Sequence, residues 1–461
     1  MQTFDTCCYA GRPLRGEFTP PGDKSVSHRA AILASLVPGW SVIDHFAPGE
    51  DCTSTLRCMQ ALGATVEREG PDGLRVRIAG KGLRGLSEPD DVLDAGNSGT
   101  TMRLLAGVLA GQDFFSALTG DASLRRRPMG RVVEPLSRMG ANIWGRGGGR
   151  LAPLAIRGGK LSGTDHTIPV ASAQVKSCIL LAGLFADGPT SVTEPARSRD
   201  HTELFLNYLG VPVVTDGLRV TVGMPGAPRE PRPFELSVPG DPSSASFFLG
   251  AAAAIPDSQV TARRVLLNPT RAGFLSVLRR MGGDVRVDPC PADGPERCAD
   301  VTVTHSRLRG FHIEASEVPA LVDEIPLLAV IATCASEPSV IQGAGELRFK
   351  ETDRIAAIVT GLGRMGARVE DRGDSLVVHP GPLRGAKVSS LGDHRMAMAL
   401  AVAGLMAKGG STIYDFDSVN ISYPGFVEDL TAMCGAHGQD APDTSARGAC
   451  PGHRQTGEGS V

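Results

Sequence analysis

The chain has 461 residues, 41% of them hydrophobic and 21% charged, with a formal charge of −3; this balance excludes any global attraction to nucleic acid or an anionic membrane and leaves an anion site to be built locally. The length exceeds the roughly 250–300 residues over which one apolar core keeps growing, so two large domains are expected. The ten cysteines form no Cys-x-x-Cys pair and no Cys/His cluster at zinc spacing, and the chain carries neither an export signal at its start nor an apolar stretch of about 20 residues, so reduced thiols and a cytoplasmic, membrane-free protein are expected.

In chain order, Ala/Leu-rich stretches predict helices over Ser27–Leu36, Thr100–Ala110, Ala171–Phe185, Ser243–Ala254, Glu324–Cys334 and His394–Ala407, each starting near a polar or Gly-containing phrase. Between them one phrase recurs: a hydrophobic helix end, a Gly, then a β-prone run. It begins at Leu62-Gly63, Met139-Gly140, Leu209-Gly210, Met281-Gly282 and Met365-Gly366, and a truncated copy stands at Met433-Cys434-Gly435. The Gly fits the left-handed residue that ends a helix, and the alternation after it fits a half-buried strand. The period of about 70 residues is longer than that of solenoids, so each copy predicts a small α/β unit, and six units imply two domains of three. Cys290 and Cys298 flank a Pro/Gly-rich loop and stand where a bridge is conceivable. After Gly435 the periodicity is lost, and residues 436–461 are expected to be a disordered tail.

Three phrases open helices with groups that suit an anion. Pro21-Gly22-Asp23-Lys24-Ser25-Val26-Ser27-His28-Arg29 gathers backbone N–H groups, a hydroxyl and cations at a helix start. Gly96-Asn97-Ser98-Gly99-Thr100-Thr101-Met102-Arg103 lets a ligand approach the backbone, and Ala171-Ser172-Ala173-Gln174-Val175-Lys176 offers a hydroxyl and an amide in the first turn. Each also reads as an ordinary helix cap.

Arginines accumulate at further loop-to-helix junctions: Arg125-Arg126-Arg127-Pro128, Arg199-Asp200-His201, Lys350-Glu351-Thr352-Asp353-Arg354 and Asp393-His394-Arg395. Guanidinium forks match carboxylate and phosphate, so a substrate pair rich in both would use several; for Arg125–Arg127 the alternative is a solvated loop or a nucleic-acid patch, the latter without the aromatic interleaving that would support it. Acid–base candidates are Asp323, Glu324 and Glu351, of which Glu351 stands between Lys350 and Arg354, cations that favour its ionised form unless burial opposes them. No nucleotide-hydrolase phosphate loop, nucleophile elbow, zinc motif or dinucleotide fingerprint stands out.

Taken together, Pro-Gly-Asp-Lys-Ser-Val-Ser-His-Arg at 21–29, Gly-Asn-Ser-Gly-Thr-Thr at 96–101, Lys-Glu-Thr-Asp-Arg at 350–354 and Asp-His-Arg-Met-Ala at 393–397 resemble the 5-enolpyruvylshikimate 3-phosphate synthases, over the chain up to about Gly435. The resemblance implies an α/β fold, a two-domain inside-out α/β barrel of six βαβαββ repeats, three per domain around buried helices, with the active site in the interdomain cleft. It implies a discontinuous first domain, 1–20 plus 240–435, with 21–239 inserted as the second. The activity it implies is transfer of the enolpyruvyl group of phosphoenolpyruvate to the 5-hydroxyl of shikimate 3-phosphate, on the way to chorismate and aromatic amino acids. A monomer is implied, acting on these two small molecules without nucleic acid or membrane. The sister family that acts on UDP-N-acetylglucosamine carries a Cys in its mobile loop and a Lys-Asn pair near the N-terminus; this chain has Leu124-Arg125-Arg126-Arg127 and Lys24-Ser25.

Carried over residue by residue, the resemblance assigns Lys24, Ser25, Arg29, Ser172, Ala173, Gln174, Arg199, Asp323 and Lys350 to shikimate 3-phosphate. Ser25 and Arg29 would take its carboxylate, and Ser172, Ala173 and Arg199 its phosphate. Lys24, Gly99, Arg127, Gln174, Arg354 and Arg395 would hold phosphoenolpyruvate. Asp323, assisted by Lys350, would take the hydroxyl proton, Glu351 would protonate the methylene carbon, and Lys24 would complete the catalytic set. Arg and Lys would stabilise the developing charge, so no metal or organic cofactor is expected. Gly99 is expected to leave room for glyphosate in place of phosphoenolpyruvate. The chain departs from one branch of the family by having no Lys before Tyr423-Pro424, and from another residue pattern by Ala173 where a Ser is usual; the phosphate contact at Ala173 would then be a backbone N–H.

Overall fold

The computed structural model describes residues 2–228, 230–291 and 293–435; the tail expected over 436–461 lies outside the described residues. Six helices are buried over almost their whole circumference: α1 (Lys24–Ser35), α2 (Gly99–Ala110), α3 (Ala173–Gly183), α4 (Pro242–Ala254), α5 (Ile325–Ala332) and α6 (His394–Met406). Their apolar and small residues are spread around the helix rather than along one stripe, the pattern of a helix enclosed by protein. The helices that follow them in sequence, such as Gly130–Arg138 and Gly273–Arg280, bury one face and turn arginines outward.

Mixed α/β sheets surround these helices, and one strand order recurs. Glu235–Ser237 runs parallel to Pro38–Asp44, which pairs antiparallel with Arg75–Lys81, itself antiparallel to Thr65–Glu69. The same arrangement appears in the sheets centred on Phe115–Thr119, Thr190–Thr193, Gln259–Leu266 and Ser339–Gln342, and a three-stranded sheet keeps the parallel pair of Lys387–Ser389 with Thr412–Tyr414. The glycines that close the recurring phrase, Gly63, Gly140, Gly210, Gly282, Gly366 and Gly435, all have left-handed φ, from 64° to 100°, and at the first five this turns the chain from helix into strand without a Cβ clash. Cys290 and Cys298 sit opposite each other on neighbouring strands as free thiols, so the bridge that the sequence left open is not made.

Apolar side chains form two separate cores. One draws on Val26 to Val238, around α1, α2 and α3; the other draws on Phe4 to Phe18 and on Ala245 to Cys434, around α4, α5 and α6. The chain therefore passes between them twice, and the two passages are hydrogen-bonded to each other: Asp23 N donates to Pro239 O and Asp241 N to Pro21 O, both at 2.8 Å. Gly22 bridges Gly240 there, and a Cβ on Gly22 would lie 2.0 Å from the His45 carbonyl oxygen. Only glycine lets this passage lie so close to the His45 backbone.

Candidate active site

Where helix starts from both cores converge there is a cavity of about 480 Å³. The residues to which the family resemblance assigned a site role all line it: Lys24, Ser25, Arg29, Gly99, Arg127, Ser172, Ala173, Gln174, Arg199, Asp323, Lys350, Glu351, Arg354 and Arg395.

The half around α1–α3 supplies helix N-termini. Asp23 caps α1 by accepting from Val26 N at 2.8 Å, which puts Lys24 and Ser25 in the first turn. Ser98 caps α2 through Thr101 N at 3.0 Å, and Ser172 caps α3 through Val175 N at 3.5 Å. All three helices start at the cavity, and at α2 and α3, whose caps are neutral, the open N–H groups and the helix dipole leave positive charge there. Lys24 Nζ meets Asp51 Oδ2 at 3.0 Å, and although burial opposes the charge, Asp51 lifts the ammonium above its ordinary pKa. Arg29 is held rigidly by Thr202 Oγ1 and Ser177 Oγ, each at 2.7 Å, and by Ser25 O at 2.9 Å; burial lowers its guanidinium to about 10. Gln174 is fixed between Arg103, which donates to its Oε1, and Thr100 Oγ1 at 2.9 Å.

The other half supplies carboxylates, and one guanidinium ties them together. Arg354 reaches Glu351 Oε2 at 2.7 Å, Asp323 Oδ1 at 3.3 Å and Asp393 Oδ2 at 2.8 Å. From across the cleft Arg199 meets Asp323 Oδ2 at 2.6 Å and Arg127 meets Glu351 Oε1 at 3.4 Å. Burial alone would raise Asp323, but Arg199, then Lys350, Arg395 and Arg354, hold it well below the carboxylate range. Glu351 is likewise held low against burial, by Arg354 and Arg127. Burial lowers the Lys350 ammonium despite Asp323 beside it. Buried Arg395 leaves Nη1 without a hydrogen-bond partner, and Arg127 leaves Nε so. Buried donors of this kind invite an acceptor that arrives with a ligand.

The structure separates some neighbours in sequence. Glu324, grouped with Asp323 as an acid–base candidate, is buried behind the cavity, where Ser243 donates to it and burial raises its carboxyl. Arg125 and Arg126 are exposed, so the solvated-loop alternative applies to them and only Arg127 of that run enters the cavity. Asp51 and Arg271 are among the cavity residues that were missed. Asp51 looks in sequence like an ordinary acid in a helix first turn. Arg271 sits in Asn268-Pro269-Thr270-Arg271, a loop-to-helix junction of the kind that flagged the other arginines; its guanidinium joins Asp23 and Asp241, the caps of α1 and α4, each at 3.1 Å. Among the described residues no group of three or more His, Cys, Asp or Glu is placed to hold a metal ion, and no helix is long and apolar enough to cross a membrane.

Comparison with known proteins gives one consistent answer. The family model described as EPSP synthase (3-phosphoshikimate 1-carboxyvinyltransferase) matches residues 8–430. A 3-phosphoshikimate 1-carboxyvinyltransferase from Desulforudis audaxviator is 52% identical over 427 residues, covering 92% of this chain and 97% of that one. One from Geobacillus kaustophilus is 50% identical over 423 residues, covering 91% and 98%. Among solved structures, EPSP synthase from Acinetobacter baumannii superposes with a TM-score of 0.83 at 40% identity, over 94% of this chain and 98% of that one. The enolpyruvyl transferase NikO from Streptomyces tendae, at 19% identity and a TM-score of 0.71 over 92% and 96%, shares the fold.

Proposed function

The chain belongs to the EPSP synthase (3-phosphoshikimate 1-carboxyvinyltransferase) family, and from that premise we propose how its cavity moves the enolpyruvyl group of phosphoenolpyruvate onto the 5-hydroxyl of shikimate 3-phosphate with release of phosphate. The observation that carries the reading is the shared guanidinium of Arg354, which joins the candidate base Asp323 and the candidate acid Glu351 in one cavity with Lys24, Arg127 and Arg395. Two carboxylates with separate cationic partners can take separate proton-transfer roles.

Shikimate 3-phosphate would place its carboxylate on Ser25 and Arg29 and its phosphate on Ser172, the Ala173 N–H and Arg199, with Gln174 between the two substrates. Phosphoenolpyruvate would lie against Lys24, Gly99, Arg127, Arg354 and Arg395. Each substrate anion then competes with an internal carboxylate for an arginine. A phosphate that draws Arg199 away removes the strongest charge holding Asp323 ionised, which makes Asp323 a stronger base. An anion that engages Arg354 and Arg127 does the same for Glu351, which must gain a proton before it can donate one. Asp323 then takes the 5-hydroxyl proton as that oxygen attacks C2, while Glu351 delivers a proton to C3, giving a tetrahedral ketal. Loss of phosphate from C2 with removal of a C3 proton yields the enol ether. Lys350, whose charge burial disfavours, stands ready to relay a proton beside Asp323.

We read the architecture as the family's inside-out α/β barrel of six units, with residues 1–20 plus 240–435 as one domain and 21–239 as the other. The two cores and the paired crossovers at Pro21 and Pro239 support this division. The enzyme is read as a cytoplasmic monomer, which sedimentation of the purified chain tests. The reaction is tested by coupled phosphate release with phosphoenolpyruvate and, in turn, shikimate 3-phosphate, shikimate and UDP-N-acetylglucosamine. Turnover restricted to the shikimate acceptors is expected; release only with the nucleotide sugar would overturn it.

A further inference from the structure

Lys176 is buried to 1% exposure on α3, one turn inside its cap, yet the chemistry above gives it no task. Its ammonium meets Glu194 Oε2 at 2.8 Å and Glu203 Oε1 at 2.7 Å, and donates to the Ser198 carbonyl at 3.5 Å. Glu194 turns back on the same loop, accepting from Ser198 Oγ at 2.5 Å and from Ser198 N at 3.4 Å. One ammonium thus joins α3, the end of the Thr190–Thr193 strand and the His201–Tyr208 helix. Everything it fixes leads to the cavity: Ser172 and Ala173 at the start of α3, and Ser198 and Arg199 in the loop.

Stability alone is a weak reason for such a cluster. Three buried charges are costly to desolvate, and well-packed apolar residues commonly do as well. What the ammonium adds is geometry, because it locks a loop backbone to a helix start through directed bonds. Its surplus carboxylate also has a use: against the burial that opposes it, the charge of Arg29 is supported most by Glu203, and the Arg29 side chain is bonded through Ser177, the residue next to Lys176, and Thr202, the residue before Glu203.

We propose that Lys176, acting with Glu194, is a positioning residue that sets the loop carrying Ser198 and Arg199 against the start of α3, and so builds the floor that grips the acceptor's phosphate. This deepens the function proposed above and rests on it. The test is steady-state kinetics of the full chain with shikimate 3-phosphate and with unphosphorylated shikimate as acceptors, for wild type, Lys176→Met, Lys176→Arg and Glu194→Gln. Lys176→Met and Glu194→Gln are expected to raise KM for shikimate 3-phosphate on the order of tenfold or more, with kcat and the KM for phosphoenolpyruvate nearly unchanged. The preference for shikimate 3-phosphate over shikimate, as the ratio of kcat/KM values, falls by the same factor, and Lys176→Arg keeps most of it. A merely structural cluster would lower both acceptors alike, and that result, or an unmoved ratio, overturns the proposal. If Lys176→Met does not fold, Glu194→Gln decides, since it leaves the Lys176–Glu203 pair in place. A wild type that releases no phosphate with either acceptor overturns the function itself, whereas an active wild type with unmoved variants overturns only the role of Lys176.

Discussion

Both halves of the molecule aim helix starts at one cavity, but they cap them differently. Around α1–α3, two of the three caps are the neutral hydroxyls of Ser98 and Ser172, while α1 carries the carboxylate of Asp23, which both caps the helix and pairs with Arg271. Around α4–α6, the caps are the carboxylates of Asp241 and Asp393, and Asp353 caps the neighbouring Arg354–Arg364 helix. Neutral caps leave the positive helix ends open to anions, whereas carboxylate caps cancel them and recruit arginines such as Arg354. The first half is therefore suited to hold charged substrates, and the second to carry proton-transfer groups in a fixed ionic frame.

The largest effects should come from breaking the second half's chemistry. Glu351→Gln or Asp323→Asn removes a proposed proton-transfer group while keeping its shape, and turnover measured by phosphate release should fall by about 10²–10⁴-fold. Calorimetry should show shikimate 3-phosphate still bound by Glu351→Gln. Loss of binding in step with turnover would mean that Glu351 holds substrate rather than moving a proton. Next, Asp393→Asn leaves the buried Arg354 guanidinium short of its 2.8 Å partner and should cost about 3–5 kcal/mol in urea unfolding. Ser98→Ala, which removes a neutral cap and the bond that Ser98 Oγ accepts from Thr101 Oγ1 at 2.7 Å, should cost about 1–2 kcal/mol. Equal costs would erase the distinction between the two kinds of cap.

Much of this division was legible in sequence because it is written locally. A left-handed Gly after a helix, as at Gly63 or Gly366, and a Ser or Asp before one, as at Ser172 or Asp393, depend on residues a few positions apart. What escaped depends on tertiary approach. Nothing near Lys176 in sequence indicates that Glu194 and Glu203 will enclose it, and the local pattern leaves Asp323 and Glu324 equivalent, so that only the family resemblance singled out Asp323 before the fold turned the other to Ser243. Arg271 carried a usable signal, an arginine at a loop-to-helix junction, but its two partners lie on the separate chain passages between the cores.

The seam beside the cavity offers a smaller test. Glu296 contacts His201 Nδ1 at 2.6 Å and accepts from Asn268 at 3.0 Å, and burial pushes its carboxyl up to about 7. A carboxyl raised above its unfolded value favours the protonated fold. Its contribution is full below about pH 4.5 and is lost as pH rises through about 7, by up to about 3 kcal/mol. Glu296→Gln cannot titrate and keeps the hydrogen bonds, so urea unfolding from pH 5 to 8 should show wild type losing stability relative to the variant. Parallel profiles would mean that Glu296 stays ionised in the fold.

The finest probe is a methyl group at the anion-holding half. A Cβ on Gly99 would lie 2.8 Å from Arg103 Nη1 and 3.4 Å from Arg127 Nη1. These are the ends of long side chains, so they can yield by a few tenths of an ångström, and the fold should survive Gly99→Ala. In the proposed placement the space given up is taken from the phosphoenolpyruvate side. Glyphosate has one more backbone atom between its carboxylate and phosphonate than phosphoenolpyruvate has between carboxylate and phosphate, so it needs more length between the same cations. Wild type should be inhibited by glyphosate in competition with phosphoenolpyruvate. Gly99→Ala should raise the inhibition constant by roughly tenfold or more and the KM for phosphoenolpyruvate by less, because an overpacked site penalises the longer ligand more. Equal increases would place the methyl's effect on the shared arginines alone, and a wild type indifferent to glyphosate would show that Gly99 leaves no such room.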